Sequence, residues 1–319
     1  MMLTLPREFL ILLLDNYNLK AKDTQLAHDG TNKIIKFHCN DIKYVLKLFP
    51  TNCRTPYQIQ YERKLMSHLT DQEIKCPGPI PQPPNKKELV FKYSNQEYYG
   101  LLTLESNGVP FSPKNDHSQI PAFGRALIKL HNCPPFPLKN PLPHLADSTK
   151  LMESVKREAS SKIKIHLENL ILKLYSSIQT HPTTPQPNDT RCICHGDAWP
   201  GNALYSEKSC VLLDFEHSRV STPAFDISTF LWWALDQDDN LVHIDAWRKL
   251  KIGYGDSLDL LLNKNTSRYI KTNELRSLIF ILNHIDVTDE LFEHISNRAI
   301  WIMKVLPSAS NSIKALELP

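Results

Sequence analysis

The spacing of apolar residues changes character near residue 105, and that change divides the chain. Upstream, residues 34–38 and 43–49 are short β-prone runs parted by Cys39-Asn40-Asp41, which predicts a hairpin. Residues 57–69 have helical spacing, with Glu62, Leu65, Met66 and Leu69 on one stripe. The proline-rich stretch from Cys76 to Pro84 breaks regular structure, and residues 89–93 and 98–104 predict a second hairpin around Ser94-Asn95-Gln96. After Glu105-Ser106-Asn107-Gly108 the period becomes helical. Phe123, Ala126, Leu127 and Leu130 mark one amphipathic helix, residues 151–178 predict a single longer one, and apolar segments at 229–235, 275–285 and 299–306 predict others, with a loop at 181–187. The fold class expected is α+β in two lobes: a small β-rich N-terminal lobe over residues 1–104 and a larger, mainly helical lobe over 105–319.

Size and charge narrow the function. A chain of 319 residues can bury a substantial core, and a formal net charge of +3 with no Lys/Arg-rich run argues against nucleic acid or a charged membrane surface as partner. The apolar run at 9–14 is ended by Asp15, far short of the ~18 residues of a membrane span and without a cleavage site after it, so it predicts a buried first helix. Seven cysteines form no C-x-x-C pair, which fits reduced, packed thiols in a cytoplasmic protein; Cys192 and Cys194 should share one face of a strand. The expected partner is a small molecule, and nothing in the chain points to a protein partner.

One stretch carries chemistry: Cys194-His195-Gly196-Asp197-Ala198-Trp199-Pro200-Gly201-Asn202, then Val211-Leu212-Leu213-Asp214-Phe215-Glu216. An Asp, an Asn five residues on and a second Asp twelve beyond can supply a base and two metal-binding oxygens to one point. Asp197 is suited to orient an acceptor hydroxyl and take its proton. Asn202 and Asp214 offer hard oxygen ligands suited to Mg2+. In residues 43–49 the period-two alternation sets Lys47 on the face of Val45 and Phe49, where its amine needs an anionic partner, and Glu62 on the next helix is the natural one. A snorkelling lysine and a glutamate at a helix start is the plainer alternative.

These residues resemble the aminoglycoside phosphotransferase and choline kinase families, small-molecule relatives of the protein kinases. The match lies in His195-Gly196-Asp197, Asn202, Asp214-Phe215-Glu216, Ser218 and Phe225-Asp226-Ile227 with Phe230 and Trp232; it covers the chain in outline from 30 to 233 and is specific from 195 to 227. The resemblance implies a bilobal kinase-like fold, ATP and Mg2+ as cofactors, and transfer of the γ-phosphoryl group to a small hydroxylated acceptor. It implies that Lys47 holds the α- and β-phosphates with Glu62 positioning it. It further implies that Gly30-Thr31-Asn32 covers phosphate, although a one-glycine loop is equally a plain turn, and that the backbone from Thr103 to Glu105 meets adenine.

The remaining residues admit two readings each. His195 either braces the loop or acts as an acid or base, and Asp197 already fills the basic role. Asp226 either holds the catalytic loop through backbone hydrogen bonds or is an ordinary helix cap. Glu216 supports metal or substrate, or faces solvent. Trp232, Trp233, Asp236, Asp238 and Asp239 would suit a cationic acceptor, though tryptophans in an apolar helix also serve as core. A choline or ethanolamine kinase is the close rival, with Gly196 standing where many such enzymes have Asn; a catalytically silent nucleotide-binding protein is the rival of another class. Glu216 in place of the glycine of D-F-G, with no A-P-E segment following, argues against a protein kinase.

Overall fold

The computed structural model describes residues 7–82, 89–93, 96–112, 117–142, 144–145, 147–155, 162–179, 191–207, 209–236, 241–242, 244–262 and 265–306. The chain opens with α1 (Arg7–Tyr17), then β1 (Lys22–Asp29), β2 (Lys33–Cys39), β3 (Ile42–Pro50), α2 (Pro56–Asp71), β4 (Val90–Tyr93) and β5 (Gln96–Leu104). The strands form one antiparallel sheet in the order β1-β2-β3-β5-β4. Asn40 and Asp41 turn the β2–β3 hairpin with φ of 50° and 63°, a left-handed pair that these two residue types tolerate. Both expected hairpins and the helix over 57–69 are present; β1 was not legible, because its sequence, KDTQLAHD, is polar, non-alternating and mostly exposed at the sheet edge.

The two faces of β3 face different cores. Tyr44, Leu46 and Leu48 join Ile35, Phe37, Phe91 and Leu102 under Phe9 and Leu13 of α1, so the N-terminal apolar run is a buried helix face. Val45, Lys47 and Phe49 lie on the other face, and Phe49 enters the cluster that also holds Leu65, Phe123, Leu212, Phe230 and Trp247. α2 begins where Thr55 accepts from Gln58 N while Gln58 accepts from Thr55 N, a reciprocal cap with Pro56 in the first turn. That start buries Glu62 together with Leu65, Met66 and Leu69.

Downstream come β6 (Val109–Pro110), α3 (Ile120–His131), α4 (Ser148–Glu153), α5 (Lys162–Gln179), β7 (Cys192–Cys194), β8 (Ala203–Tyr205), β9 (Cys210–Leu212), β10 (Arg219–Ser221), α6 (Pro223–Ala234), α7 (Ile244–Tyr254), α8 (Thr266–His284) and α9 (Asp289–Val305). Helices α4, α5, α8 and α9 pack around Leu151, Leu167, Leu174, Leu278 and Ala299. The single helix expected over 151–178 is instead two. α4 ends at Ser154, whose backbone N–H and hydroxyl both donate to Leu151 O, at 3.0 and 2.6 Å, so the side chain closes the last turn. The 181–187 loop lies outside the described residues. β8 and β9 form a hairpin that β6 extends, and β7 pairs with β10.

The architecture is thus a five-stranded sheet with its helix set against a larger helical part, a bilobal arrangement. Among the described residues no helix is long and apolar enough to cross a membrane. The seven cysteines are free; Cys53 is exposed, while Cys192 and Cys194 share one buried face with sulfurs 3.6 Å apart.

Candidate active site

Short strands set the central loop. β7 ends at Cys194, opposite Arg219 of β10, and delivers His195-Gly196-Asp197 at its tip. Asp226, fully buried in the first turn of α6, accepts from the His195 N–H at 2.7 Å and from the Gly196 N–H at 2.9 Å. His131 Nε2 donates to the same carboxylate at 3.0 Å, and its Nδ1 meets the Tyr254 hydroxyl at 2.7 Å. Asp226 therefore holds the loop by its backbone, beyond any role as a cap; the cap of α6 is Thr222. His195 Nε2 donates to Leu213 O at 2.7 Å and Ser218 Oγ donates to His195 O at 2.9 Å, so the buried imidazole braces two segments.

Gly196 permits this geometry. Its φ is +83°, and a Cβ there would lie 2.2 Å from His217 O, a backbone atom with nowhere to go. Gly196→Ala should destabilise the fold by about 2 kcal/mol or more through the left-handed backbone and this clash, read as a lower denaturant midpoint at unchanged slope.

Asn202 closes the turn Pro200–Asn202, and its Nδ2 donates to both Asp197 O and Asp197 Oδ2 at 2.9 Å. With the amide nitrogen so engaged, Oδ1 is the ligand atom it presents. Asn202 O accepts from Leu213 N at 2.9 Å and Ala203 pairs with Leu212, so the hairpin brings Asp214 beside this turn. Asp214 itself is left-handed, φ 62° and ψ 65°, a conformation that costs a non-glycine residue about 1–2 kcal/mol.

Lys47 reaches this point from the sheet. Its Nζ donates to Asp214 Oδ1 at 2.7 Å and lies 3.5 Å from Glu62, 3.6 Å from Glu216 and 4.7 Å from the centre of the Phe49 ring. Burial alone would lower the amine's pKa, but Asp214, Glu62 and Glu216 outweigh it and hold Lys47 protonated. Glu216 does not face solvent: Arg54 meets it at 2.7 Å and His217 at 3.2 Å, and against its burial Lys47, His217 and Arg54 keep it well below the usual carboxylate range. Its Oε2 is nonetheless buried without a hydrogen bond. Oxygen donors on Asp214, Asn202 and Glu216, with one Glu216 oxygen free of a hydrogen bond, suit a divalent cation that prefers oxygen ligands, such as Mg2+.

Glu62 is pushed up to about 7 by burial, with Lys47 pulling it down and Asp214 and Glu216 raising it further. A raised carboxylate favours its neutral form when folded, so its contribution is full below the unfolded value and is lost as pH rises toward 7. Glu62→Gln, which mimics the neutral form, should therefore gain thermal stability relative to the native chain between pH 5 and pH 8, while Lys47 loses an anchor and ATP turnover falls. Equal differences in melting temperature at the two pH values would contradict this.

The sequence reading missed Arg276 of α8, whose guanidinium lies 2.8 Å from Asp197 Oδ1. Burial would raise the Asp197 pKa, but Arg276, His217 and His195 together hold it below its ordinary value. It also missed Arg54, in the turn after β3. Neither belongs to a local motif, since each acts on a partner distant in sequence.

Other expected contacts fall differently. Gly30, Thr31 and Asn32 form the β1–β2 turn, pinned by an Asp29–Lys33 ion pair, and the pairing of Ile34 with Lys47 sets the turn at the Lys47 end of the sheet. Thr103 is buried and donates to Val45 O at 3.4 Å. The Glu105 N–H donates to Lys43 O at 2.9 Å and its carboxylate pairs with Lys36 at 2.6 Å. Arg276 and Arg298 lie over the Trp232 ring at 5.8 and 5.4 Å, and its Nε1 donates to Glu274 at 2.7 Å. Trp233 packs on Phe111 and Phe230. The Asp236 side chain, Asp238 and Asp239 lie outside the described residues.

A family model described as the phosphotransferase enzyme family matches residues 24–253. An uncharacterized protein of Synechocystis sp. is 25% identical over 235 residues, 71% of this chain, which spans 64% of that relative's length. The homoserine kinase of Rhizobium meliloti is 22% identical over 259 residues, 77% of each chain. Among solved structures, the amicoumacin kinase hAmiN in complex with AMP-PNP, Ca2+ and Ami superposes with a TM-score of 0.67 at 14% identity over 88% of each chain, a likeness of fold.

Proposed function

The chain belongs to the phosphotransferase enzyme family, and from that premise we propose that it is an ATP- and Mg2+-dependent kinase that phosphorylates a hydroxyl of a small molecule. The observation that carries this reading is the meeting of Lys47, from the sheet, with Asp214, from the hairpin that also seats Asn202 against Asp197. Residues 1–104 would hold the nucleotide and 105–319 the acceptor.

Catalysis of this kind is positioning and charge compensation more than covalent participation. Asp197 orients the acceptor hydroxyl: Oδ2 is held by Asn202, while Oδ1 pairs with Arg276 at 2.8 Å and can still accept from an O–H through its second lone pair. The hydroxyl oxygen forms a bond to the γ-phosphorus, the bond to the β–γ bridging oxygen breaks with its electron pair leaving on ADP, and the proton passes to Asp197. Lys47, kept charged by its carboxylates, anchors the α- and β-phosphates. Asn202 and Asp214, with Glu216 behind them, would hold Mg2+, which neutralises charge on the phosphate oxygens. Asp226 and His195 keep the loop rigid.

The test is ADP formation with MgATP across amines, amino alcohols, hydroxy acids, sugars and aminoglycosides. At least one acceptor should raise the rate tenfold above the acceptor-free rate. Stabilisation by MgATP with no acceptor-dependent ADP would favour a silent nucleotide-binding protein, and absence of both would remove the reading.

A further inference from the structure

Arg276 lies beside the atom that meets the acceptor. Its guanidinium is 2.8 Å from Asp197 Oδ1, a buried oxygen, while the two side chains as wholes retain 19% and 22% of their exposure. The neighbouring charges are matched differently. Glu274, buried, receives Arg298 at 3.2 Å and Trp232 Nε1 at 2.7 Å, and the other Arg298 nitrogens donate to Trp232 O at 2.7 Å and Leu235 O at 3.0 Å. That unit is closed and neutral. Arg276 is set over the same indole at 5.8 Å and forms its ion pair with Asp197.

Resting on the phosphotransferase reading, we infer that the acceptor carries an oxyanion near its reacting hydroxyl and that Arg276 receives it. Charge balance supplies the reason. When Asp197 takes the hydroxyl proton it becomes neutral, and Arg276 then loses its counter-ion in a partly desolvated site. An acceptor carboxylate or phosphate restores the balance as the proton moves, and the planar guanidinium fork fits either group. A quaternary ammonium or aminoglycoside amine would instead sit against Arg276 with the indole already covered. Since Asp197 Oδ1 and Arg276 stand 2.8 Å apart, a hydroxyl on one and an oxyanion on the other are separated by roughly 3–6 Å at ordinary hydrogen-bond lengths. Hydroxy acids, hydroxy amino acids and small sugar phosphates all have that reach.

The experiment compares kcat and KM for three acceptor sets with MgATP: hydroxy acids and hydroxy amino acids, sugar phosphates, and choline, ethanolamine and aminoglycosides. One of the first two sets should be turned over at least 100-fold more efficiently than the third, and which one identifies the oxyanion as carboxylate or phosphate. Arg276→Ala should raise the KM of that acceptor tenfold or more with the KM of ATP changed less than twofold, and Arg276→Lys should recover part of the loss. Binding of the acceptor to the ADP-bound protein, followed by thermal shift, should weaken in parallel. Preferential turnover of the cationic set, an unchanged acceptor KM in Arg276→Ala, or an increase confined to the KM of ATP would each overturn the inference. Turnover of no acceptor while MgATP still stabilises the protein would overturn it as well. Failure of MgATP to bind at all would instead bring down the phosphotransferase reading, and this inference with it.

Discussion

Asp197→Asn should lower kcat by about 10²–10⁴-fold, the range a positioned general base supplies, and leave the KM of ATP within a factor of three. The substitution is nearly isosteric. The Asn oxygen can still accept from Asn202 Nδ2, as Asp197 Oδ2 does at 2.9 Å, so the turn that carries Asn202 should keep its shape. What disappears is the negative charge that orients the hydroxyl and receives its proton. The pH dependence of the native enzyme should carry the same signature. Because Arg276, His217 and His195 outweigh burial and hold the Asp197 carboxyl low, it stays ionised through the ordinary carboxylate range, and the loss of activity that its protonation causes should fall below about pH 4. The contribution to stability has the same sign: present above the unfolded value, it is lost as pH falls through the depressed one. Steady-state kinetics on both proteins, carried from about pH 9 down to roughly pH 3, below the ordinary Asp value, would read it. A variant with native kcat would remove Asp197 as the base.

Asp226→Ala should cost about 3 kcal/mol or more, roughly 6 °C or more in melting temperature, and abolish turnover even where the protein remains folded. The carboxylate is fully buried and accepts from the His195 N–H, the Gly196 N–H and His131 Nε2. Alanine would strand three donors away from water. It would also release the strand end that fixes Asp197, so the two losses share one cause. Asp226→Asn, which keeps one accepting oxygen but turns an NH2 toward a donor, should fall between. Calorimetry with parallel kinetics separates these outcomes, and a native melting temperature in Asp226→Ala would show that the loop is held by other means.

How much of this was legible in the sequence follows from how local each signal is. Hairpins and α2 were readable because alternation, the Asn-Asp turn and the stripe of Glu62, Leu65, Met66 and Leu69 all act within a few residues. The placement of Asp197, Asn202 and Asp214 was readable because a short strand and one hairpin set all three. The Lys47–Glu62 contact followed from period-two alternation on β3 meeting the inward stripe of α2. By contrast β1 left no trace because an exposed edge strand needs no apolar alternation, and the break between α4 and α5 turned on one serine competing for a carbonyl. Arg276 and Arg54 carried no signal either. A lone arginine in a helix or a turn looks like any solvated charge until the fold sets it against a carboxylate. At Trp232 the fold sets Arg276 and Arg298 over an aromatic face that the sequence alone leaves open to a cation.

The most direct measurement is 31P NMR of the protein with MgATP and an equimolar pool of hydroxylated acceptors, recorded beside the Asp197→Asn variant. Native protein should convert the γ-phosphate resonance into ADP and a new phosphomonoester signal, with the variant slower by two orders of magnitude or more. An unchanged ATP spectrum, or a phosphomonoester that grows at the same rate in both, would contradict it.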